Sequence, residues 1–255
     1  MRTPLAVLTA ASVVSATHAA TVWLGTDGSS ISEISGEGAQ AQYRISKGDW
    51  DAGLSTSSSI TSSNIVQESN LGNTIRLNAA RFAFEFNYSV ADGYTFNLTH
   101  LDGGDPGLDA ANLSWSAPHN SVDQDRSFNA INISAQATDR PGWSSTEMAA
   151  TDLNFTVNNG ANINGSLNNL VSNSTGSQLE DQWIIADFDL SQTDWSLTGI
   201  VEANYTPVNG QGLSSLDDAV KFTLKTNQVT SSIPTPGAAA LAGIAALGTI
   251  RRTRR

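Results

Sequence analysis

Apolar and polar residues alternate with period two along much of this chain. In Arg81-Phe82-Ala83-Phe84-Glu85-Phe86-Asn87-Tyr88 every second residue is aromatic. Successive side chains of a strand point to opposite faces, so Phe82, Phe84, Phe86 and Tyr88 would line one face. Ala91-Asp92-Gly93 follows, then Tyr94-Thr95-Phe96-Asn97-Leu98. Asp-Gly between two alternating runs predicts a hairpin, because glycine tolerates the positive φ of the turn. Further strands are predicted over 127–137, 153–157, 183–188, 195–205 and 220–225, with Ser191-Gln192-Thr193-Asp194 as a turn. Helical pattern is scarce: 109–113 and 214–219 could each form a single turn. Residues 55–74, rich in Ser, Thr and Asn, read as a long loop or sheet edge, and 226–235 as a linker.

Many short strands separated by Asn, Gly and Ser turns point to an all-β fold. We expect a two-sheet antiparallel β-sandwich, jelly-roll-like, over residues 21–230. A parallel β-helix is the main alternative, suggested by the Asn-rich run 159–169, but no sustained internal period supports it.

Both ends break the pattern. Residues 1–20 read as a secretory signal peptide: Arg2 is the positive start, Leu5 to Val14 the apolar segment, and Ser15 to Ala20 a small-residue cleavage region. Cleavage after Ala19 and after Ala20 fit about equally well. The alternative is a buried N-terminal helix, against which Thr21-Val22-Trp23-Leu24 opens a strand-like pattern. Residues 231–255 contain, in order, Pro234-Thr235-Pro236-Gly237, an apolar run to Ile250, and Arg251-Arg252-Thr253-Arg254-Arg255. The apolar run spans roughly 21 Å as a helix, short of a hydrocarbon core of about 30 Å. Flanking residues and arginine snorkelling can close part of the gap. Arg251, Arg252, Arg254 and Arg255 should stay on the cytoplasmic side, leaving the body outside.

This order of Pro-x-Pro, short transmembrane helix and arginine cluster resembles the PEP-CTERM sorting tail of exported bacterial proteins. Thr235 stands where that tail commonly has Glu. The resemblance implies a transient inner-membrane anchor and cleavage near Pro234 to Gly237 by an exosortase-type enzyme. The destination would be the cell surface or the exopolysaccharide matrix. A plain C-terminal membrane anchor is the alternative. The body, in its strand texture and in Phe128-Asn129-Ala130-Ile131-Asn132 and Gln182-Trp183-Ile184-Ile185-Ala186, is similar to the exported choice-of-anchor β domains. Those domains imply no settled activity.

Composition narrows the partners. The whole chain has a formal net charge of −11 and no cysteine. Disulfides and Cys-ligated metals are therefore excluded. Residues 21–233 hold 8 basic and 24 acidic residues, a net charge of −16, with no Lys or Arg from Pro141 to Val220. Such a surface repels nucleic acid and anionic membranes. It suits divalent cations, neutral polysaccharide or plain solubility.

Candidate chemistry is thin. Neither a G-x-S-x-G nor an H-E-x-x-H motif occurs. His100 and His119 read as surface-loop residues, and Glu85, Glu147, Glu180 and Glu202 as surface acids rather than a glycosidase pair. Asp102, Asp105 and Asp109, spaced by glycines, form the densest oxygen-ligand segment and could take calcium. Asp123 and Asp125 make a smaller cluster, and neither matches an EF-hand. Trp183 and Trp195 lie in apolar runs and should be core. Trp50, Trp115 and Trp143 lie among Asp, Ser, Pro and Gly and are the candidate glycan-binding rings. Eight Asn-x-Ser/Thr triplets occur, starting at Asn87, Asn97, Asn112, Asn132, Asn154, Asn164, Asn173 and Asn204. Their modest excess follows in part from strand composition, and a bacterial exporter need not glycosylate them.

The expected function is therefore a non-enzymatic structural or adhesive protein of the exopolysaccharide matrix, with signal peptidase and an exosortase-type enzyme as processing partners. The alternative is a secreted carbohydrate-binding module, possible with calcium.

Overall fold

The computed structural model describes residues 19–46, 49–55, 65–70, 80–101, 112–117, 127–207 and 220–231. Strands there form two sheets. The larger runs β10 (Asn162–Gly165), β1 (Thr21–Thr26), β12 (Leu179–Ala186), β8 (Ala130–Ala137), β14 (Val220–Ser231), β2 (Ile31–Ser46), β3 (Asp49–Ser55), β4 (Ile65–Asn70). The smaller runs β11 (Leu170–Asn173), β9 (Trp143–Val157), β13 (Trp195–Pro207), β5 (Ala80–Ser89), β6 (Gly93–His100), β7 (Asn112–Ala117). Among the described residues every strand pairing is antiparallel except one: β10 runs parallel to β1 at an edge. The sheets pack face to face as a sandwich, and residues Ala20–Ile233 group into one compact unit.

The alternation in β5 explains its place in the core. Phe82, Phe84, Phe86 and Tyr88 are all buried, while Glu85 between them is exposed. The turn to β6 forms where expected, with Gly93 at φ +88, a value that costs glycine nothing. Phe86 stacks on Tyr94 and Tyr88 on Trp195, with ring centroids 5.9 and 6.0 Å apart. Aromatic pairs of this kind add directional packing to the area they bury.

Four sequence expectations need correction. The strand expected at 153–157 begins ten residues earlier, at Trp143. Its first half was obscured by Ser144, Ser145 and Glu147 on the outward side. It also contains a bulge. Pairing steps from Thr151↔Ile200 to Asn154↔Thr198, and Asp152 takes φ 52. The extra residue returns Leu153 and Phe155 to the side that Met148 and Ala150 occupied, opposite Gly199. A side chain at Gly199 would come within 2.7 Å of Leu153 Cδ2 and Phe84 Cε1.

The expected linker from 226 is the second half of β14, and it lies mid-sheet. Thr226 is fully buried; its hydroxyl accepts from the Ala39 N–H at 2.9 Å. The single turn suggested at 109–113 gives way to β7 from Asn112, the rest lying outside the described residues. The Asn-rich run 159–169 holds only the short exposed edge strand β10, not a β-helix coil. Within 55–74, β4 is an edge strand and 56–64 and 71–74 lie outside the described residues, as do 214–219.

The stretches Phe128 to Asn132 and Gln182 to Ala186 are neighbours: Ile184 pairs with Ile131 and Ile185 with Ala130. Each contributes an amide clamp. Asn129 accepts from the Val229 N–H at 2.9 Å and donates to the Val229 carbonyl at 3.1 Å. Gln182 holds the Asn168 backbone in the same two-sided way, at 3.0 and 2.7 Å.

Candidate functional site

The outward face of the six-stranded sheet has a composition of its own. Strand register aligns Thr156, Ser196, Asn87, Thr95 and Ser116 in one row across β9, β13, β5, β6 and β7. Asn154, Thr198, Glu85, Asn97 and Ser114 form the next row. All ten are exposed or partly exposed. At about 4.8 Å between strands, each row is roughly 19 Å long. Nine of the ten side chains are hydroxyls or amides, one is a carboxylate, and none is basic or aromatic.

Hydrogen bonds orient part of this array. Ser114 donates to Asn97 Oδ1 at 2.6 Å, and Asn97 Nδ2 donates to Glu85 at 3.3 Å. Further along the strands charge appears. Arg81 pairs with Glu202 at 3.2 Å, and Asn204 Nδ2 donates to Glu147 and Glu202. Glu85, Glu147 and Glu202 thus each have a neutral or cationic partner. Glu180 lies on the other sheet, in β12.

Strand alternation, on both sheets, accounts for most of the Asn-x-Ser/Thr triplets. In those starting at Asn87, Asn97, Asn112, Asn132, Asn154 and Asn204, the middle residue is Tyr88, Leu98, Leu113, Ile133, Phe155 or Tyr205. Each of these packs into the core. The triplet is a polar–apolar–polar strand step whose middle side chain points inward.

The candidate glycan rings fare differently. Trp115 is not on a loop: it is buried in β7, 1% exposed, and stacks on Phe96 with centroids 5.5 Å apart. Trp143 begins β9, is buried, and meets Tyr205 edge-on at 5.3 Å. Both owe their polar neighbours to the outward positions of their strands, and neither has a free face for a sugar. Trp50 stands in β3 opposite Ile45, and its side chain is not among the described ones.

Trp195 is core as expected. Trp183 is buried in a separate cluster with Ala130, Ile185 and Val229, its Nε1 donating to Asp181 at 3.0 Å. Of the tryptophans with described side chains, Trp23 in β1 is the one left half-buried. Sequence reasoning passed over it because it lies in an apolar strand run.

His100 ends β6 rather than sitting in a loop, and its ring packs against Phe82 at 5.1 Å. His119, Asp102, Asp105, Asp109, Asp123 and Asp125 lie outside the described residues, as do residues 1–18 and 232–255, which include Pro234, Thr235, Pro236, Gly237 and the arginines. Among the described residues no three His, Asp or Glu side chains gather to hold a metal ion, and no helix is long and apolar enough to cross a membrane.

Asp189 caps the 3₁₀ turn Leu190–Gln192, its side chain accepting from the Ser191 N–H at 2.9 Å. Burial alone would raise its pKa. Hydrogen bonds from Ser191, Ser127 and Phe128 outweigh burial and hold it below the ordinary carboxylate value. The cap has a structural role. No protein-family model matches the chain, and no characterised protein is similar to it in sequence.

Proposed function

We propose that this is an exported bacterial protein of the cell surface or exopolysaccharide matrix, with a structural and adhesive role rather than a catalytic one. It would make contact with neutral polysaccharide through the outward face of its six-stranded sheet. The observation that carries the reading is the ten-position array from Thr156 to Ser114, rich in hydrogen-bonding groups and with Glu85 as its one charge. Hydroxyls and amides both donate and accept, as a polyol does. The net charge of −16 over residues 21–233 disfavours anionic polymers. Export is supported by the signal-peptide pattern. The PEP-CTERM-like tail gives the route, through a transient inner-membrane anchor and exosortase-type processing. Strands β8 to β14 alternate strictly between the two sheets, which supports a jelly-roll-like topology.

A second reading has one observation in its favour: the half-buried Trp23 offers part of an aromatic surface on the larger sheet. It would make the protein a carbohydrate-binding module of the aromatic kind. One experiment separates the two. Depletion of the protein from solution by an insoluble neutral polysaccharide is measured for the wild type, for Thr95→Glu with Thr198→Glu, and for Trp23→Ala. Loss of depletion in the double variant supports the polar face, and loss in Trp23→Ala supports the aromatic module. No depletion of the wild type refutes both modes of contact.

A further inference from the structure

Three Asn-Gly steps occur in the chain: Asn159-Gly160, Asn164-Gly165 and Asn209-Gly210, the last outside the described residues. An asparagine carboxamide before glycine is open to attack by the next backbone nitrogen, because glycine has no side chain to hinder the ring that forms. The fold treats the two described steps differently.

Asn158 to Ala161 carry the chain from β9 in the smaller sheet to β10 in the larger. Asn158, Asn159 and Gly160 are exposed. Gly160 takes φ +71, and a Cβ built on it would meet nothing within 4 Å. The Asn159 side-chain carbonyl accepts from the Ala161 N–H at 3.0 Å. This Asx turn closes a ring that folds the carboxamide back over the Gly160 peptide. It also aims a backbone donor at the oxygen on which negative charge grows when the Gly160 nitrogen attacks Cγ. Asn164 is exposed too, but it lies in β10, in register with Trp23, as Gly165 is with Leu24. A Cβ on Gly165 would come within 2.7 Å of the Leu24 carbonyl oxygen. Turning the Asn164 carboxamide onto the Gly165 nitrogen requires the backbone to leave this pairing.

We propose that Asn159 is a site of self-modification: the folded protein converts it to aspartyl and isoaspartyl residues through a cyclic imide, while Asn164 is spared. The Gly160 nitrogen loses its proton and bonds to Asn159 Cγ. The Cγ–Nδ2 bond breaks, and the amide nitrogen takes up a proton and leaves as ammonia. Water then opens the imide. Breaking the new N–Cγ bond restores the ordinary backbone with an aspartate. Breaking the original peptide bond instead leaves the backbone running through Cγ. Nothing is oxidised or reduced. Either product adds a negative charge, and the iso form lengthens the turn by one backbone carbon. That extra carbon comes just ahead of Asn162, whose N–H donates to the Ala20 carbonyl at 2.8 Å. The reaction needs only the folded body and water, so it is independent of export.

The test incubates the purified protein in neutral and in mildly alkaline buffer, folded and unfolded in guanidinium chloride. Peptide mapping by mass spectrometry reads amide loss at Asn159 and Asn164, and isoaspartyl methyltransferase labelling reads the iso form. We expect Asn159 to react at least as fast in the folded as in the unfolded chain, and faster in the alkaline buffer. Asn164 should react several-fold more slowly folded than unfolded. Gly160→Ala, whose methyl enters open space, should slow Asn159 several-fold and leave Asn164 in the unfolded chain unchanged. Folding that protects Asn159 as strongly as Asn164 overturns the proposal. So does an unchanged rate at Asn159 in Gly160→Ala, or amide loss there without any isoaspartyl product.

Discussion

Replacing Trp115 with alanine separates a core ring from a surface platform. Trp115 is 1% exposed and stacked on Phe96. Truncating a buried Trp to Ala costs about 3–5 kcal/mol through lost burial and the cavity left behind. One feature lowers that figure. The Trp115 Nε1–H is buried without a hydrogen-bond partner. A buried unsatisfied donor carries a penalty of about 1–3 kcal/mol, which the truncation relieves. The expected net cost is about 1–3 kcal/mol, centred near 2. For a domain of this size each kcal/mol moves Tm by about 2–4 °C, so the midpoint should fall by roughly 2–12 °C. Trp115→Phe keeps an aromatic ring and removes the orphan donor, so its cost should stay below about 1.5 kcal/mol. Urea and thermal unfolding, followed by circular dichroism, read both variants. Polysaccharide depletion, measured well below the lowered midpoint, should be unchanged. If Trp115→Ala unfolds within about 0.5 kcal/mol of wild type, the ring is at the surface and the packing argument is wrong.

Three further outcomes are expected. Gly199→Ala should destabilise by about 1–3 kcal/mol, because the new methyl meets Leu153 and Phe84 at 2.7 Å and the Thr151 carbonyl at 2.9 Å; a neutral urea midpoint would contradict the bulge geometry. Asn129→Ala removes both bonds to the Val229 backbone and should cost about 2 kcal/mol, with faster hydrogen exchange at the Val229 amide as the local readout. Asp189 is depressed in the folded state, so its contribution is complete above the unfolded value of about 3.9 and is lost as pH falls through the folded value. Stability measured between pH 5 and about 2 should therefore drop less steeply in Asp189→Asn than in wild type.

The strands easiest to read were those whose outward and inward positions differ most in chemistry. β5 and β6 set aromatics against Glu, Asn and Thr, and Asp92-Gly93 marks their turn. The start of β9 was hidden because Thr146, an inward position, is polar; its hydroxyl reaches the Thr138 carbonyl at 3.0 Å, which lets it be buried. The end of β14 was hidden for the same reason, since Thr226 and Asn227 are buried yet hydrogen-bonded, Thr226 to the distant Ala39 N–H and Asn227 to the Lys225 carbonyl. Trp115 and Trp143 were misplaced because a strand residue's sequence neighbours lie on the opposite face, so polar neighbours say nothing of its own burial. The rows of the polar face depend on which strands pair and in what register. That is long-range information, such as Ser196 facing both Thr156 and Asn87. The Asn-x-Ser/Thr excess was the one local trace of it.

The last strand among the described residues lies in the middle of the larger sheet. β14 is flanked by β8 and β2, and its pairing with β2 joins Val229 to Ile34 across most of the sequence. Contacts so distant along the chain make folding slow. They also impose an order on it: a chain still emerging has two open strand edges where β14 belongs, and it cannot close its sheet until residue 231 has been delivered. A product truncated before Val220 would carry those edges permanently, exposed to pairing with other chains. Completion of the fold thus reports that the whole body has been delivered.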